Sequence, residues 1–246
     1  MNRNEFFQTL PITALQFRLT GAMIEICTDD IDDIHVMVSG ATADVEALRI
    51  EETQGALTLE QPVTALAKSA AADSNWMQIA IRLPRSWKGA INGRTVSGWI
   101  TLRGLTGTDL SVDSVNGLII GQGLDFITVR THNVSGDIKL SDLHCDHCGL
   151  FSTNGVMTVQ HTSLYSCTVN TVSGLVTLEF TEPFEELTLN SVSGSLYVDA
   201  PITECDAVLR SMSGRIRTGG VSIKEGAPKL RANTVSGNLD ISCTLE

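Results

Sequence analysis

A tetrapeptide that ends in glycine recurs from Thr95 to the end of the chain, and this repeat constrains the fold more than any other feature. Its pattern is Thr, Ser or Asn, then Val, Thr or Met, then Ser or Asn, then Gly. The glycines are Gly98, Gly117, Gly136, Gly155, Gly174, Gly194, Gly214 and Gly237, with spacings of 19, 19, 19, 19, 20, 20 and 23 residues. Such a period is typical of stacked units, which together bury a face that one unit cannot bury alone.

Apolar residues hold fixed positions relative to each glycine. In one unit they are Val176 and Leu178, after the glycine, and Val172, Val169 and Cys167, before it. Apolar and polar residues alternate within each short segment, which is the period of a β-strand. We expect the equivalent aliphatic residues of successive units to stack into ladders that form a continuous core.

The repeat predicts an all-β fold, a right-handed parallel β-helix of about eight coils, because parallel crossovers are overwhelmingly right-handed. The glycines mark corners, where the backbone adopts a positive φ at no Cβ cost. Residues 95–246 form the repeats, and residues 1–94 form an irregular N-terminal β region that caps them; one continuous domain over 1–246 also fits. The absence of alternating helices disfavours an α/β fold.

The N-terminal region carries strand patterns without the regular motif. The predicted strands are Phe17–Cys27, Ile34–Val38, Ala56–Leu59 and Trp76–Leu83. Val38–Gly40 and Thr53–Gly55 are interpreted as degenerate corners, and Pro62–Asn75 as a loop or short helix.

The C-terminal coil ends abruptly at 241–246, without a recognisable cap. An uncapped coil leaves an open strand edge, so this coil is the predicted site of pairing with a second copy of the chain. Charge is uneven nearby: Glu179–Asp206 holds seven acids and no base, and Arg210–Arg231 holds six bases and one acid. Solvated surface is the simpler interpretation of these runs, and a partner-binding patch is the alternative.

Composition excludes several function classes. With 28 acidic and 17 basic residues the formal net charge is −11, which disfavours nucleic-acid binding. No segment has the length and apolarity of a transmembrane helix, and the N-terminus lacks a signal-peptide pattern. These features predict a cytoplasmic chain with reduced thiols.

The densest group of metal-ligating residue types is His144, Cys145, His147 and Cys148. Zinc favours thiolate and imidazole ligands, and structural sites close four of them. However, Cys148 falls in a core column, and free cysteine is a common small core residue. We therefore predict no metal and no cofactor, with these four residues as weak metal candidates.

No constellation predicts catalysis. The motif serines and asparagines repeat uniformly, which is typical of turn residues and not of one activated nucleophile. Asp125 and Asp142 lie at different distances past their glycines, so they are not cleanly stacked, and the cluster Asp29–Asp33 falls in a predicted loop. The chain is not expected to be an enzyme.

An apolar strand that ends in proline, Met77–Pro84, followed by repeats such as Thr171–Leu178, resembles a bacterial family of β-strand-repeat proteins known as putative adhesins. The resemblance implies surface attachment or scaffolding, allows association with the cell surface, and carries over no catalytic residues.

The sequence thus predicts a non-catalytic β-helical scaffold or adhesin-like interaction protein with an unidentified protein or glycan partner. One alternative is a structural protein that assembles end to end. The other is a carbohydrate-active enzyme, since many β-helices act on polysaccharides and fold analogy extends that far.

The core assignment makes a direct prediction for Ile138, two residues after Gly136. Ile138→Asp should destabilise the protein by several kcal/mol (about 3 or more), because an unpaired charge would sit among stacked aliphatic side chains. Thermal melting measures this, and an unchanged melting temperature would contradict the assignment of the inward column.

Overall fold

The computed structural model describes residues 1–62 and 76–243. Among these residues it contains fifteen strands and one short helix in a single 15-stranded sheet. In chain order the elements are β1 (Asn2–Phe7), β2 (Ala14–Asp29), β3 (Ile34–Ser39), α1 (Thr42–Ala47), β4 (Arg49–Thr53), β5 (Ala56–Glu60), β6 (Met77–Pro84), β7 (Ala90–Ser135), β8 (Ile138–Phe180), β9 (Glu186–Ser191), β10 (Ser195–Asp199), β11 (Glu204–Ser211), β12 (Ile216–Gly219), β13 (Ser222–Ile223), β14 (Lys229–Thr234) and β15 (Leu239–Ser242).

The repeat units stack in parallel, in a constant register. Ile119 pairs with Ile138 and Ser135 with Asn154, so β7 and β8 are offset by 19 residues. Each unit contributes one segment before its glycine and one after it, and like segments stack on like. We call these two sides of the stack the pre-glycine face and the post-glycine face.

The repeat glycines lie in one file, where each closely approaches the next. A Cβ on Gly136 would lie 2.1 Å from the carbonyl oxygen of Gly117, and one on Gly155 would lie 2.0 Å from that of Gly136. Gly136 and Gly155 have φ of 136° and 149°, whereas Gly117 has no left-handed φ. Close packing between units is therefore the requirement that the glycines share, and the positive φ expected from the sequence applies to only some of them.

A second file of corners lies six residues past the glycines. Its members adopt left-handed φ values between 50° and 63° and are Gly104, Gly123, Asp142 and His161. No repeated glycine marks this corner in the sequence, because two of the four residues are not glycine.

At the N-terminal end, the order of the units differs from the order of the chain. β2 lies between β7 on one side and both β5 and β6 on the other. The predicted strand Phe17–Cys27 is thus an inner unit, and later segments form the outer layer. The predicted boundary between residues 94 and 95 falls inside β7.

The N-terminal end is completed by antiparallel strands. β4 pairs with β5, and β3 lies between β6 and β1. Gln54 and Gly55, with φ of 52° and 78°, form the tight turn between β4 and β5. The prediction of a degenerate stack corner at Thr53–Gly55 was wrong, because this turn joins antiparallel strands. Of the predicted loop or helix at Pro62–Asn75, residues 63–75 lie outside the described part of the chain.

At the C-terminal end, the chain also turns back into the stack. β14 pairs with β9 on one side and β11 on the other, and β15 lies between β10 and β12. The prediction that the C-terminal coil offers an open edge was therefore wrong. The outermost unit is the one that contains Gly214.

Charge alternation accompanies this order. Lys229 of β14 lies in register between Glu186 of β9 and Asp206 of β11. Arg217 Nη1 also lies 3.8 Å from Asp240 Oδ2, between β12 and β15. Strands from the basic run of the sequence therefore lie next to strands from the acidic run. Opposite charges on neighbouring strands stabilise such pairing.

The core lies between the two faces. The columns two and four residues after the glycines are buried in the inner units, as in Ile138 (0% exposed) and Leu178 (1%). The columns five and seven residues before the glycines are also buried, as in Val169 and Leu187. In the described ranges, 1–62 and 76–243, no helix is long and apolar enough to span a membrane.

The glycine file makes a stability prediction. Gly155→Ala should lower the free energy of unfolding by about 2 kcal/mol or more, because its Cβ would overlap a backbone oxygen that cannot move independently. Gly21→Ala is the matched control, since its Cβ would meet only the Ser97 hydroxyl at 3.7 Å. Chemical denaturation measures both, and equal effects would contradict the close-approach explanation.

Candidate functional site

Polarity is inverted at the motif: its polar first residue points inward. This inward polar ladder is Thr95, Ser114, Asn133, Ser152, Thr171, Ser191 and Thr234, all buried, with Ser211 half-buried in the outermost unit. The Gly194 amide donates to Ser191 Oγ at 2.8 Å, and the Gly237 amide donates to Thr234 Oγ1 at 2.9 Å. Six of the eight members thus bond backbone groups that would otherwise be buried without a partner, whereas the Ser114 and Ser152 hydroxyls form no hydrogen bond within the described residues.

The second motif residue points outward and forms an exposed apolar row, which we call the valine ladder. Its exposed members are Val96 (43%), Val115 (41%), Val172 (46%), Val192 (49%), Met212 (84%) and Val235 (45%). The expectation that this column joins the core was wrong. Val172, Val192, Val235 and Met212 lie on four adjacent units, and an apolar row of this kind on a surface is a candidate interaction site.

The third motif residue ties neighbouring units together. Ser236 Oγ donates to the Val192 carbonyl at 3.3 Å, and Ser213 Oγ donates to the Val235 carbonyl at 3.2 Å. These bonds follow the spatial order of the units, so the C-terminal unit is fixed between its two neighbours.

Beside the valine ladder, four residues before the glycines, runs a second outward row. At its centre, Asn190 Nδ2 donates to Asn170 Oδ1 at 2.9 Å, and Asn233 Nδ2 donates to Asn190 Oδ1 at 3.1 Å. We call these three residues the asparagine ladder. Each amide bonds the next, so their side chains are held in one orientation along the pre-glycine face.

The two rows line a groove of about 490 Å³. His132 and Phe151 lie toward one end of it, the asparagine ladder at its centre, and Arg210 and Met212 at the other end. The lining spans six stacked units, and the five spacings between them, at about 4.8 Å each, add up to roughly 24 Å. A groove of this length can accommodate several units of an extended polymer.

The groove differs in charge from the protein as a whole. Among the described residues that line the groove, Arg210 carries a full positive charge and none is Asp or Glu. The chain as a whole, by contrast, carries a formal net charge of −11. This arrangement offers amide hydrogen bonds, apolar contact and one cation, and it favours a ligand that carries a negative group near Arg210.

None of the groove residues is among the candidate site residues that the sequence predicts. The signal was available in the asparagines at positions 170, 190 and 233, which share one column. Their proximity depends on the inserted C-terminal unit, which the sequence order does not reveal.

The structure separates the candidate metal ligands. Cys145 and Cys148 are buried in the core, at 3% and 5% exposure, whereas His144 and His147 are exposed. His147 Nδ1 lies 2.8 Å from Ser166 Oγ. The two cysteines and the two histidines therefore cannot ligate one ion.

The core thiols are also held protonated. The pKa of Cys145 is far above its usual range, because its thiol hydrogen-bonds Cys148 and is buried. The pKa of Cys148 is raised as well: its bond with Cys145 acts to lower it, but its bond with Cys167 and its burial outweigh that effect. Protonated, buried thiols are poor nucleophiles and poor metal ligands, so these cysteines act as core residues.

The candidate carboxylates do not form a paired site. Asp142 occupies the second corner, and its Oδ1 lies 3.7 Å from His161 Nδ1; Asp125 lies beside His144 in the register. His161 Nε2 also lies 3.8 Å from Glu179 Oε1, with both side chains exposed. Across 1–62 and 76–243, no group of three or more His, Cys, Asp or Glu is arranged to hold a metal ion.

A family model described as Toastrack DUF4097 matches residues 12–242, which is nearly the whole chain. The chain therefore belongs to the Toastrack DUF4097 family. No curated protein matches it significantly.

Solved structures share this fold over almost their full lengths. A putative adhesin from Parabacteroides distasonis ATCC 8503 has a TM-score of 0.60 and 12% identity, covering 98% of this chain and 97% of that one. A putative adhesin from Bacteroides fragilis NCTC 9343 has a TM-score of 0.56 and 16% identity, with the same coverage. A putative lipid binding protein from P. distasonis ATCC 8503 has a TM-score of 0.62 and 14% identity, covering 97% and 96%. The resemblance to putative adhesins noted in the sequence is confirmed.

The inverted polarity predicts opposite outcomes for two neighbouring residues. Ser191→Ala should destabilise the protein by about 1–2 kcal/mol, because the buried Gly194 amide loses its acceptor. Val192→Ser should change stability by less than about 0.5 kcal/mol, because that side chain is half exposed. Denaturant unfolding of both variants checks the assignment, and the reverse ranking would contradict it.

Proposed function

We propose that this member of the Toastrack family is a non-catalytic, adhesin-like binding protein, built as a right-handed parallel β-helix of about eight 19–20-residue coils. Its ligand is an extended glycan that carries an acidic sugar. The observation that carries the proposal is the groove on the pre-glycine face, where the asparagine and valine ladders run side by side.

The chemistry of the groove suits a sugar chain. Amide side chains both donate and accept, so the asparagine ladder can bond the hydroxyl groups of successive sugars. Phe151 and the valine ladder supply apolar surface for the C–H faces of sugar rings. Arg210 can bond the carboxylate of an acidic sugar with two parallel hydrogen bonds.

The groove also supports binding without cleavage. Glycoside hydrolysis generally requires a pair of carboxylates that flank the scissile bond. The described groove lining contains neither Asp nor Glu. A ligand in this groove would therefore meet hydrogen-bonding and apolar groups but no general acid or base of that type.

The fixed geometry of the site favours binding of an extended ligand. The asparagine amides bond one another, and the backbone beneath them belongs to a continuous parallel sheet. Side chains that are held in their binding orientation lose little conformational freedom when a ligand binds. A regular row of such groups can engage a regular polymer at several points.

Isothermal titration calorimetry with an oligogalacturonide and a neutral galacto-oligosaccharide of equal length tests the proposal. We expect the acidic oligosaccharide to bind more tightly, because it adds a carboxylate for Arg210. Asn190→Ala should weaken this binding at least about tenfold, since it removes the centre of the asparagine ladder.

Asn92→Ala is the matched control. Asn92 is exposed before Gly98, at the other end of the stack, and should leave the affinity unchanged. Binding that is absent for both oligosaccharides, or equal in the wild type and Asn190→Ala, would overturn the glycan proposal. Release of shortened oligosaccharides during incubation would overturn its non-catalytic part.

A further inference from the structure

The outermost strand of the pre-glycine face, β11, has an open edge. β14 lies on its inner side, and on its outer side β13 covers only Glu204 and Cys205. The Lys224 amide donates to the Cys205 carbonyl at 2.9 Å, which closes this covered part. Within the described residues no strand pairs with the outer edge of 206–211. An open edge of this kind is a template for another strand.

The direction of the backbone groups along this edge is fixed by the inner pairing. The Asp206 amide donates inward to the Pro228 carbonyl at 2.9 Å, and the Met212 amide donates inward to the Thr234 carbonyl at 3.3 Å. Because successive strand residues direct their N–H and C=O groups to opposite sides, Ala207 and Leu209 present theirs to the open edge.

The side chains of this edge are self-complementary in charge. The segment reads Asp206–Ala207–Val208–Leu209–Arg210, with an acid two residues before Val208 and a base two residues after it. Val208 is 39% exposed and Arg210 is exposed. Within the described part of the chain, neither Asp206 nor Arg210 forms an ion pair.

We propose that two copies of the chain form a two-fold symmetric dimer through antiparallel pairing of 206–210, centred on Val208. Ala207 of each copy then exchanges backbone hydrogen bonds with Leu209 of the other. Val208 faces its own equivalent at a non-hydrogen-bonded position, where opposing side chains lie closest. Asp206 of each copy faces Arg210 of the other.

The neighbouring strand β13 sets the length of this interface. One step beyond Arg210, Ser211 would oppose Cys205 of the other copy, whose outer edge is already occupied by β13. The part of β11 whose outer edge is free to pair therefore coincides with the self-complementary segment 206–210. A two-fold contact of this type uses the same patch on both copies, so it closes at a dimer and does not continue into a polymer.

This dimer does not depend on glycan binding. The sequence predicts self-association at the C-terminal coil, whereas the open edge belongs to the unit that contains Gly214. In such a dimer the two pre-glycine faces become one continuous sheet. The grooves of the two copies then lie on one surface, each with its Arg210 end at the junction, which permits bivalent engagement of a long ligand.

Sedimentation velocity of the full chain over a wide concentration range tests the dimer. The wild type should shift from 26.4 kDa to twice that mass as its concentration rises. Arg210→Asp should raise the dissociation constant at least about tenfold, because Asp206 of one copy would then face a second carboxylate on the other. Adding Asp206→Arg to that variant should restore dimerisation, since the charges are exchanged and again complementary.

Ala207→Pro gives a second, backbone-level test. It removes an N–H that faces the open edge, so pairing with β14 is preserved and the fold should survive, as its melting temperature would show. Its dimer should be weakened. A monomer at all concentrations, growth beyond a dimer, or a dimer that is unaffected by both Arg210→Asp and Ala207→Pro would overturn the proposal, as would failure of the charge exchange to restore association.

Discussion

The close approach of backbones at the glycine file is the constraint on which the rest of the structure depends. A Cβ at Gly174 would lie 2.0 Å from the Gly155 carbonyl oxygen, and one at Gly237 would lie 1.8 Å from that of Gly194. Only glycine allows units to approach this closely at the corner. Once the corners are in contact, the register on both sides is fixed, and every column of equivalent side chains becomes a ladder. The buried aliphatic ladders, the inward polar ladder and the outward asparagine and valine ladders all follow from this single vertical alignment.

How far the sequence predicts this arrangement depends on the level of detail. The period and the alternation correctly indicate strands, parallel stacking and the aliphatic columns, because these follow from local patterns. The prediction that the second motif residue is buried was wrong, although the geometry of a strand determines which motif residues point inward. Val172 and Val169 are three residues apart in one strand, so their side chains point to opposite sides. Since Val169 is buried with Cys167, Val172 must be exposed, and Thr171 must be buried. Hydrophobicity alone misplaces both residues, because the buried threonine bonds the corner backbone and so offsets its desolvation.

The spatial order of the units is harder to predict, for a physical reason. Every repeat presents the same columns, so the aliphatic ladders would form equally well if the last three units were stacked in chain order. What differs between units is charge: Lys229 lies in register between Glu186 and Asp206 only when β14 is inserted between β9 and β11. Such contacts between opposite charges on neighbouring exposed strands contribute little individually, which makes them a weak signal in a sequence. The asparagine ladder depends on the same order, because Asn233 reaches Asn190 only in the inserted arrangement. The candidate site was therefore not accessible from the sequence without the topology.

Turning the chain back at both ends determines where the molecule can interact. The chain segments that would otherwise form loose terminal coils, β2 and β15, are paired on both sides. At the C-terminal end the outer layer comes instead from an internal segment, which is tethered at both ends and thus loses less freedom when it pairs with another molecule, whereas at the N-terminal end β1 is the edge strand. At the C-terminal end this outer layer is β11, which carries Arg210 at the limit of the groove as well as the open edge. The proposed glycan site and the proposed dimer contact therefore meet on one strand. Because Arg210 would face both Asp206 of the other copy and the acidic sugar, the two proposed binding events are coupled, and each changes the affinity of the other by the same factor.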